Sequence, residues 1–199
     1  MIPFVVEYKR VFGEIKMEQQ ISTINVDIDG VLYDFTAQMA SMDGFKYQGR
    51  WFEHIQNQNM KLHDYIVVKF DEYAQNGLFL NGKACDGAHE LVSMLSLLKS
   101  KYNLQLNILG ALPYNKSYSN TVRCHKISFL KAKGFWSKFD DIIFVYGSKS
   151  KLQYANDTSI LIDDYPRTKA RFDKLNAPMV LYKNPADTMK ELAKFGLTL

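Results

Sequence analysis

The sequence predicts an α/β protein built on a Rossmann-like parallel β-sheet with helices on both faces. From about residue 88 onward, segments with helical periodicity alternate with short apolar segments typical of buried strands, and this alternation is typical of a parallel sheet. A further helical segment follows the first predicted strand. The chain of 199 residues is long enough for a sizeable core, as one domain with one large insertion.

The N-terminal part of the chain divides into three segments. Residues 1–20 have no clear period and are predicted to form an N-terminal extension. The segment STINVDID, which begins at Ser22, is short, apolar and rich in β-branched residues, so it predicts a buried strand. QNQNMKLHDYIVVKFDEYAQNG predicts a helix stopped by Gly77. The expected core is therefore residues 21–35 and 81–199, and residues 36–80 form a helical insertion.

The rest of the chain contains the alternating elements. DGAHELVSMLSLLKSKYN predicts an amphipathic helix with Leu91, Val92, Leu95 and Leu98 on one face and Asp86 as its N-cap. The predicted segments that follow are a strand LQLNILG, a helix around residues 120–133, a strand DIIFVYG, a short helix near residue 150, a strand SILIDD, a helix PRTKARFDKLN, a strand PMVLYK and a helix ADTMKELAKFG.

The charge of the chain suits an anionic small-molecule substrate. The net charge is +4 and the pI is near 8.9, which is mildly basic. The sequence has no dense Lys/Arg block of the kind that nucleic-acid-binding arms carry. From Lys126 to Lys138 basic residues alternate with apolar ones, a pattern that favours the solvent-facing side of a helix over a nucleic-acid patch. We therefore expect no stable nucleic-acid partner.

Cysteine content and hydropathy indicate a cytoplasmic protein. Cys85 and Cys124 form no disulfide framework, and the N-terminal apolar run is too short for a signal peptide. No segment approaches the roughly 20 apolar residues of a membrane span. We therefore expect no membrane partner, and the oligomeric state is left open, with a homodimer as one alternative.

Charged residues stand at the C-terminal ends of several predicted strands. Asp27 and Asp29 end the first strand, Lys151 lies just beyond the strand IIFVY, and Asp163 and Asp164 end the strand SILI. Because ligands of such sheets bind at the carboxyl ends of the strands, we expect these side chains to converge at one edge.

Carboxylates crowded at one edge repel one another unless a cation neutralises them. Only oxygen ligands are present, and Mg²⁺ fits best because it binds one or two carboxylates together with water and substrate phosphate. The four histidines are scattered and none pairs with a cysteine at zinc spacing. An aspartate in such a site can attack phosphorus. Residues i and i+2 of a strand point the same way, so Asp27 and Asp29 can address one substrate atom.

Several segments resemble the motifs of a known superfamily. DIDGVLYDF resembles motif I of the haloacid dehalogenase (HAD) superfamily of phosphohydrolases, ILIDDYP resembles motif IV, and Lys151 lies where the motif III lysine is expected. GLFLNGKACDGAHELVSML is similar to the segment before motif II in the 5′(3′)-deoxyribonucleotidases, whose bacterial and phage members have about this length. The resemblance implies a HAD-like core and, at residues 36–80, a small helical cap over the site.

The resemblance also implies a role for each motif residue. Asp27 would be the nucleophile and Asp29 the general acid and base. Mg²⁺ would be held by Asp27, the backbone carbonyl of Asp29 and Asp163, and Asp164 would support the metal through water or orient its neighbours. Lys151 would bind both the substrate phosphate and the carboxylate of the nucleophile.

One position departs from the family pattern. Motif II ends in Thr or Ser, whose hydroxyl binds phosphate, whereas LNILGALPY has Gly110 at the aligned position, followed by Ala111. The backbone N–H groups of Gly110 and Ala111 are expected to bind the phosphate instead. A hydrogen bond to a charged group contributes about 1.5–3 kcal/mol. We therefore expect a weakened or retuned enzyme, with a nucleotide-binding protein that has lost turnover as an alternative.

Aromatic residues are frequent in and beside the insertion, and a nucleobase would stack on such rings. Most of the rings are expected to form the core of the cap itself. Leu78 and Phe79 are favoured as substrate contacts because GLFL aligns with the base-contacting segment of the deoxyribonucleotidases, and Phe35 at the hinge is a further candidate. The aromatic candidates are Tyr33, Phe35, Phe45, Trp51, Phe52, Tyr65, Phe70 and Phe79.

Together, the residues and the resemblance predict a Mg²⁺-dependent phosphomonoesterase. It would dephosphorylate a (deoxy)ribonucleoside monophosphate through an aspartyl-phosphate, with a 5′-deoxyribonucleotide as the expected substrate. A polynucleotide end and a sugar phosphate are the alternative substrates.

Overall fold

A computed structural model describes residues 20–80 and 82–199. Within this part of the chain, five parallel strands form one sheet with the order β3-β2-β1-β4-β5. The strands are β1 (Thr23–Val26), β2 (Gln105–Leu112), β3 (Asp141–Tyr146), β4 (Ser159–Asp163) and β5 (Met179–Leu181). The predicted α/β class with a Rossmann-like parallel sheet is confirmed.

Helical segments connect the strands. Helices α1–α3 lie between β1 and α4, where the sequence predicts a helical insertion, and we call them the cap helices. Short 3₁₀ helices lie at Trp136–Lys138 and Ser148–Tyr154. The helices are α1 (Phe35–Met42), α2 (Gln48–Asn57), α3 (Leu62–Gln75), α4 (Ala88–Tyr102), α5 (Lys116–Ala132), α6 (Pro166–Asp173) and α7 (Pro185–Ala193). The domain boundaries at residues 36 and 80 stay a prediction.

Two apolar layers cover the faces of the sheet. In β4, Ile160 and Ile162 pack in the larger buried cluster, which includes Leu91 of α4, whereas Leu161 packs in a second cluster with Phe172 of α6. Successive side chains of a strand point to opposite faces. Helices therefore pack on both faces of the sheet.

The pairing of β1 with its two neighbouring strands aligns the C-terminal ends of β1 and β4. Val26 of β1 pairs with Ile108 of β2 on one side and with Ile162 of β4 on the other. The backbone N–H of Asp27 then donates to the carbonyl of Ile162 at 2.9 Å. The residues that follow β1 and end β4 are thereby placed side by side.

The cap helices are joined by one carboxylate. Asp43, which follows α1, accepts hydrogen bonds from Trp51 Nε1 of α2 at 2.6 Å and from the Tyr65 hydroxyl of α3 at 2.7 Å, and also from the Tyr73 hydroxyl of α3. Burial acts to raise the pKa of Asp43, but the hydrogen bonds outweigh it and the net shift is downward. The carboxylate is therefore held in its ionised form.

The two chain segments that lead into and out of the cap run side by side. Tyr33 and Ala84 form an antiparallel bridge, and the N–H of Asp34 donates to the carbonyl of Lys83 at 2.9 Å. The hydroxyl of Tyr33 donates to the carbonyl of Leu78. These bonds fix the base of the cap to the core.

The N-terminus of α4 differs from the prediction. Gly87, not Asp86, is the N-cap residue, and its φ is +79°. A Cβ at Gly87 would lie 2.7 Å from Cγ of Pro185. The left-handed backbone and the contact with α7 therefore require glycine here, and the Asp86 side chain makes no capping bond.

The helix predicted from residue 56 to Gly77 is interrupted. Helix α2 ends at Asn57 and α3 begins at Leu62, and Asn59 between them has a φ of +55°. The predicted extension at residues 1–20 lies outside the described residues, except for residue 20. Among the helices that the structure describes, none has the length and apolar character to cross a bilayer.

Candidate active site

Three carboxylates meet at the C-terminal edge of the sheet. Asp27 follows β1, Asp163 is the last residue of β4, and Asp164 comes next. Each contributes one carboxylate oxygen to a group in which these atoms all lie within 4.8 Å of one another. Asp27 and Asp163 are buried, and Asp164 is exposed. The fold thus brings together residues that are more than a hundred positions apart in the chain.

Lys151 lies beneath this group. It belongs to the 3₁₀ helix Ser148–Tyr154 after β3, and its Nζ lies 2.8 Å from Asp27 Oδ2 and 2.6 Å from Asp163 Oδ2. Only 1% of the lysine side chain is exposed. Burial acts to lower the pKa of Lys151, but Asp27 and Asp163 more than offset this, and the net shift is upward. The ammonium group therefore stays charged and links two of the three carboxylates.

The cluster carries more negative charge than Lys151 neutralises. Burial, and then the neighbouring Asp27, raise the pKa of Asp163 to about 6, although Lys151 acts in the opposite direction. Burial together with Asp27 and Asp163 raises the pKa of Asp164 to about 8, and because this residue is exposed, water screens part of the effect. A second cation at this edge would favour the ionised form of both groups.

Gly30 provides the space that Asp164 occupies. Its φ is +76°, and a Cβ on this residue would lie 1.9 Å from Asp164 Oδ2. The N–H of Gly30 donates to the carbonyl of Tyr33 at 2.9 Å, which closes a tight turn. The chain therefore leaves the site toward the cap along a path that only glycine allows.

Asp29 borders the same site through a different partner. Its Oδ2 lies 2.5 Å from Nζ of Lys126, and a quarter of its side chain is exposed. Burial raises the pKa of Asp29, and Lys126 acts in the opposite direction. The carboxylate of Asp29 is not among the clustered oxygens of Asp27, Asp163 and Asp164 in the described structure. The carboxylate of Asp29 therefore lies beside the cluster and pairs with Lys126.

The structure corrects the predicted position of Lys126, which borders the site. It was predicted on the solvent-facing side of a helix, but its side chain is 1% exposed. Nζ also donates to the carbonyl of Ala111 at 2.8 Å and lies 4.4 Å from the centroid of the Phe79 ring. The helical period indicates a buried position for Lys126, because Val122 and Leu130 lie four residues away on either side and both are buried. Lys126 thus lies in the apolar stripe of α5.

A cavity of about 750 Å³ opens above the carboxylates. One wall consists of the acidic residues and Lys151, and Ser148 and Lys183 also line it. The cap supplies the other wall, which is apolar: its residues are Phe35, Leu62, Ile66 and Phe70. Gln48 of α2 also lines the cavity and donates from Nε2 to Asp34 Oδ1 at 3.0 Å. The volume is typical of a small-molecule site.

Two of the three predicted substrate contacts lie behind this wall. Phe35 lines the cavity, whereas Leu78 and Phe79 are fully buried and outside the lining of the described cavity. The Phe79 ring packs against that of Phe35 with centroids 6.1 Å apart. The direct contacts expected for Leu78 and Phe79 are therefore corrected, because their side chains fill the hinge and support Phe35.

Other predicted aromatic contacts are structural. Trp51 and Tyr65 are buried and donate to Asp43 within the cap, as expected for rings that form the cap core. Phe70 is the other predicted ring that reaches the cavity wall in the described structure.

Gly110 and Ala111 lie on opposite sides of β2, and the phosphate contacts expected from their backbone N–H groups stay a prediction. A Cβ at Gly110 would lie 2.9 Å from Cδ1 of Ile28 and 3.3 Å from Cε1 of Phe144, so this position faces the apolar layer. Ala111 lines the cavity instead. Since neighbouring residues of a strand face opposite sides, a side chain at position 111 would face the cavity, whereas one at position 110 would meet the apolar layer.

Comparisons with known proteins agree with this architecture. No family model matches the chain, and no curated protein matches it. Among solved structures, a hydrolase from Streptococcus pneumoniae TIGR4 is similar with a TM-score of 0.52 and 11% identity, over 87% of this chain and 99% of that one. An L-2-haloacid dehalogenase from Xanthobacter autotrophicus, with chloropropionic acid covalently bound, is also similar. Its TM-score is 0.51 at 10% identity, over 80% of this chain and 76% of that one.

A third similar structure is the HAD-hydrolase YfnB from Bacillus subtilis bound to magnesium. Its TM-score is 0.43 at 16% identity, over 80% of this chain and 86% of that one, and no argument rests on it. At these identities the likeness concerns the fold alone. The chain therefore has a HAD-like fold, and its chemistry has to be argued from its own side chains.

Proposed function

We propose that this protein is a Mg²⁺-dependent phosphomonoesterase that dephosphorylates a nucleoside monophosphate. The observation that carries the proposal is the arrangement of Lys151 between Asp27 and Asp163, with Asp164 adjacent, at the floor of a cavity. A buried lysine and clustered carboxylates beside a cavity are suited to bind a cation and a phosphate together.

The donor set supports Mg²⁺ as the cofactor. The oxygens of Asp27, Asp163 and Asp164 are hard ligands, and burial, followed by the charge of neighbouring carboxylates, raises the pKa of both Asp163 and Asp164, so a cation here would be stabilised by the ionised group. Asp27 and Asp163 would hold the ion, with the backbone carbonyl of Asp29, and Asp164 would support it. When bound, Mg²⁺ would neutralise phosphate oxygens and the carboxylates.

The reaction proceeds in two steps at Asp27. In the first, a carboxylate oxygen of Asp27 attacks phosphorus, the bond to the leaving oxygen breaks, and Asp29 donates a proton to that oxygen. In the second, Asp29 takes a proton from water, the hydroxide attacks phosphorus, and the bond to Asp27 breaks to release phosphate. Lys151 holds the carboxylate of Asp27 in place by the 2.8 Å ion pair and balances negative charge on the phosphate.

The cavity supports a nucleotide as the substrate. Its apolar wall, with Phe35 and Phe70, presents rings against which a flat base can stack, and Gln48 adds an amide at the same wall. A 5′-deoxyribonucleotide is the expected substrate, in keeping with the resemblance of the segment that begins at Gly77 to the deoxyribonucleotidases.

The first prediction is that the purified protein releases phosphate from deoxyribonucleoside 5′-monophosphates when Mg²⁺ is present. Asp27→Asn should abolish the release, because an amide is a poor nucleophile, and removal of the metal with a chelator should do the same. The assay measures phosphate from a panel that also contains 3′-nucleotides, 5′-phosphorylated oligonucleotides and sugar phosphates. Activity that survives Asp27→Asn would contradict the mechanism, and preference for a sugar phosphate would contradict the nucleotide assignment.

A second candidate function is a nucleotide-binding protein with weak or no turnover. The observation that favours it is Ala111, which has no hydroxyl at the cavity. Binding of a nucleotide without phosphate release under any divalent metal would support this candidate.

The second prediction concerns this missing hydroxyl. Ala111→Ser should raise kcat by roughly 10- to 150-fold, because a hydrogen bond to a charged group contributes about 1.5–3 kcal/mol and each 1.4 kcal/mol is about tenfold in rate. Gly110→Ser is the matched control, since its side chain would meet Ile28 rather than the cavity, and it should lower stability without raising kcat. Equal gains in both variants would contradict the assignment of position 111.

A further inference from the structure

Lys126 is a buried cation at the junction of three chain segments. Its Nζ contacts Asp29 Oδ2 after β1 and the Ala111 carbonyl of β2, at 2.5 and 2.8 Å. It also lies over the ring of Phe79, which belongs to the segment that returns from the cap. A lysine with 1% of its side chain exposed is tolerated only when its charge is paired. Here the pairing partner is Asp29.

The contact determines how the Asp29 carboxylate is held. Oδ1 of Asp29 has no hydrogen-bond partner among the described residues, whereas Oδ2 is bound by Lys126. Within the described chain, the ion pair with Lys126 is therefore the side-chain bond that orients this carboxylate. Lys126 itself is held from the other side by Ala111 and Phe79, so the ammonium group is a fixed point to which Asp29 is attached.

We propose that Lys126 is a positioning residue that holds the carboxylate of Asp29 toward the leaving oxygen and the attacking water. The inference rests on the proposed phosphatase function, in which Asp29 moves a proton in each step. Lys126 does not line the cavity in the described structure, so its effect on substrate is through Asp29. Its loss should therefore impair proton transfer more than substrate binding.

Leaving groups separate this role from simple packing. A nucleoside alcohol leaves poorly unless its oxygen is protonated, whereas 4-nitrophenolate leaves readily as the anion. In Lys126→Met, the attack on 4-nitrophenyl phosphate should keep most of its rate, and hydrolysis of the aspartyl-phosphate should become slow because the water is poorly activated. A side chain that only fills space would slow the first release of 4-nitrophenolate as much as the first release of the nucleoside.

The experiment measures the turnover of both substrates by the 199-residue protein in the presence of Mg²⁺. For Lys126→Met we expect kcat on the nucleoside monophosphate to fall by about 100-fold with KM little changed, the size typical of general acid–base catalysis. With 4-nitrophenyl phosphate we expect a rapid burst of nitrophenolate equal to the enzyme concentration, followed by slow turnover. Asp29→Asn should give the same pattern.

The controls keep the two proposals separate. Lys131→Met changes an exposed lysine of the same helix and should behave as the wild type. If Lys126→Met does not fold, as judged by circular dichroism, Lys126→Gln retains a donor and should show the same burst with a smaller loss of kcat. Equal slowing of the first release of leaving group from both substrates, absence of a burst, or unchanged kinetics would overturn the role of Lys126. A wild-type protein without phosphatase activity would instead overturn the proposed function.

Discussion

Gly30 and Asp164 share one small volume at the edge of the sheet. The carboxylate of Asp164 lies where a Cβ of residue 30 would be, at a distance of 1.9 Å from Oδ2, so the side chain of one residue depends on the lack of a side chain on the other. The glycine after Asp29 is therefore needed for two reasons, its φ of +76° and the position of a neighbouring carboxylate.

The third prediction follows from this contact. Gly30→Ala should displace the Asp164 carboxylate and weaken Mg²⁺ binding and phosphatase activity by at least about tenfold, beyond the roughly 1–2 kcal/mol of strain that a left-handed residue with a Cβ carries. Gly134→Ala is the matched control, since Gly134 has a φ of +72° and no heavy atom within 4 Å of its Cβ position. Calorimetric titration with Mg²⁺ measures the affinity of both variants. Similar losses in both would show that backbone strain, not Asp164, is responsible.

The three cap helices are held together by Asp43. Its carboxylate joins α1, α2 and α3 through hydrogen bonds from Trp51, Tyr65 and Tyr73. Helix α3 supplies Leu62, Ile66 and Phe70 to the apolar wall, so the shape of the cavity depends on this bonded group.

The fourth prediction is that Asp43→Ala loosens the cap and damages nucleotide recognition. The variant should lose roughly 1.5–3 kcal/mol of stability, the contribution of hydrogen bonds to a charged group. KM for a nucleoside monophosphate should rise, while KM for a small phosphate ester that does not reach the apolar wall should change little. Asp64→Ala, an exposed residue of α3, is the control. Equal changes of KM for both substrates would argue against a role of the cap in recognition.

Across the whole protein, the raised pKa values at the acidic edge make stability depend on pH. The pKa of Asp163 is about 6 in the folded protein, raised from 3.8 mainly by burial and then by Asp27, and the pKa of Asp164 is raised in the same direction. Stability from a carboxyl with a raised pKa is fully present below its unfolded pKa and is lost as pH rises through its folded pKa. The metal-free protein should therefore lose stability as the pH rises.

The fifth prediction is that Tm in a chelator falls between about pH 5 and about pH 8, the range in which these carboxyls ionise. The carboxyls with lowered pKa, such as Asp43, are already ionised at the start of that range and do not oppose the trend. Mg²⁺ should raise Tm more at the higher pH, because it binds the ionised cluster. Asp164→Asn should reduce the slope, as thermal denaturation would measure. A metal-free Tm that rises over this range would contradict the charge balance inferred for the site.

Local features of the sequence predicted much of the fold. The alternation of helical and strand periods predicted the parallel sheet, and the ends of the strands predicted which acidic residues and which lysine meet. Such features are local because a period of 3.6 or 2 and a strand end are properties of neighbouring residues. The sequence patterns did not predict the interruption at Asn59 or the N-cap at Gly87. Both depend on a left-handed backbone conformation, which the helical period of the surrounding residues does not indicate.

Patterns in the sequence were sufficient to predict the parallel α/β sheet, helices between β1 and α4, and the convergence of Asp27, Lys151 and Asp163 on one edge of the sheet. Three features came from contacts in the folded chain: Ala111 rather than Gly110 lines the cavity, Phe79 packs behind Phe35, and Lys126 is buried outside the cavity lining rather than exposed to solvent. Which side of a strand end faces the cavity, and which group pairs with a buried charge such as Asp29, depend on contacts between residues far apart in the chain. No local period contains that information.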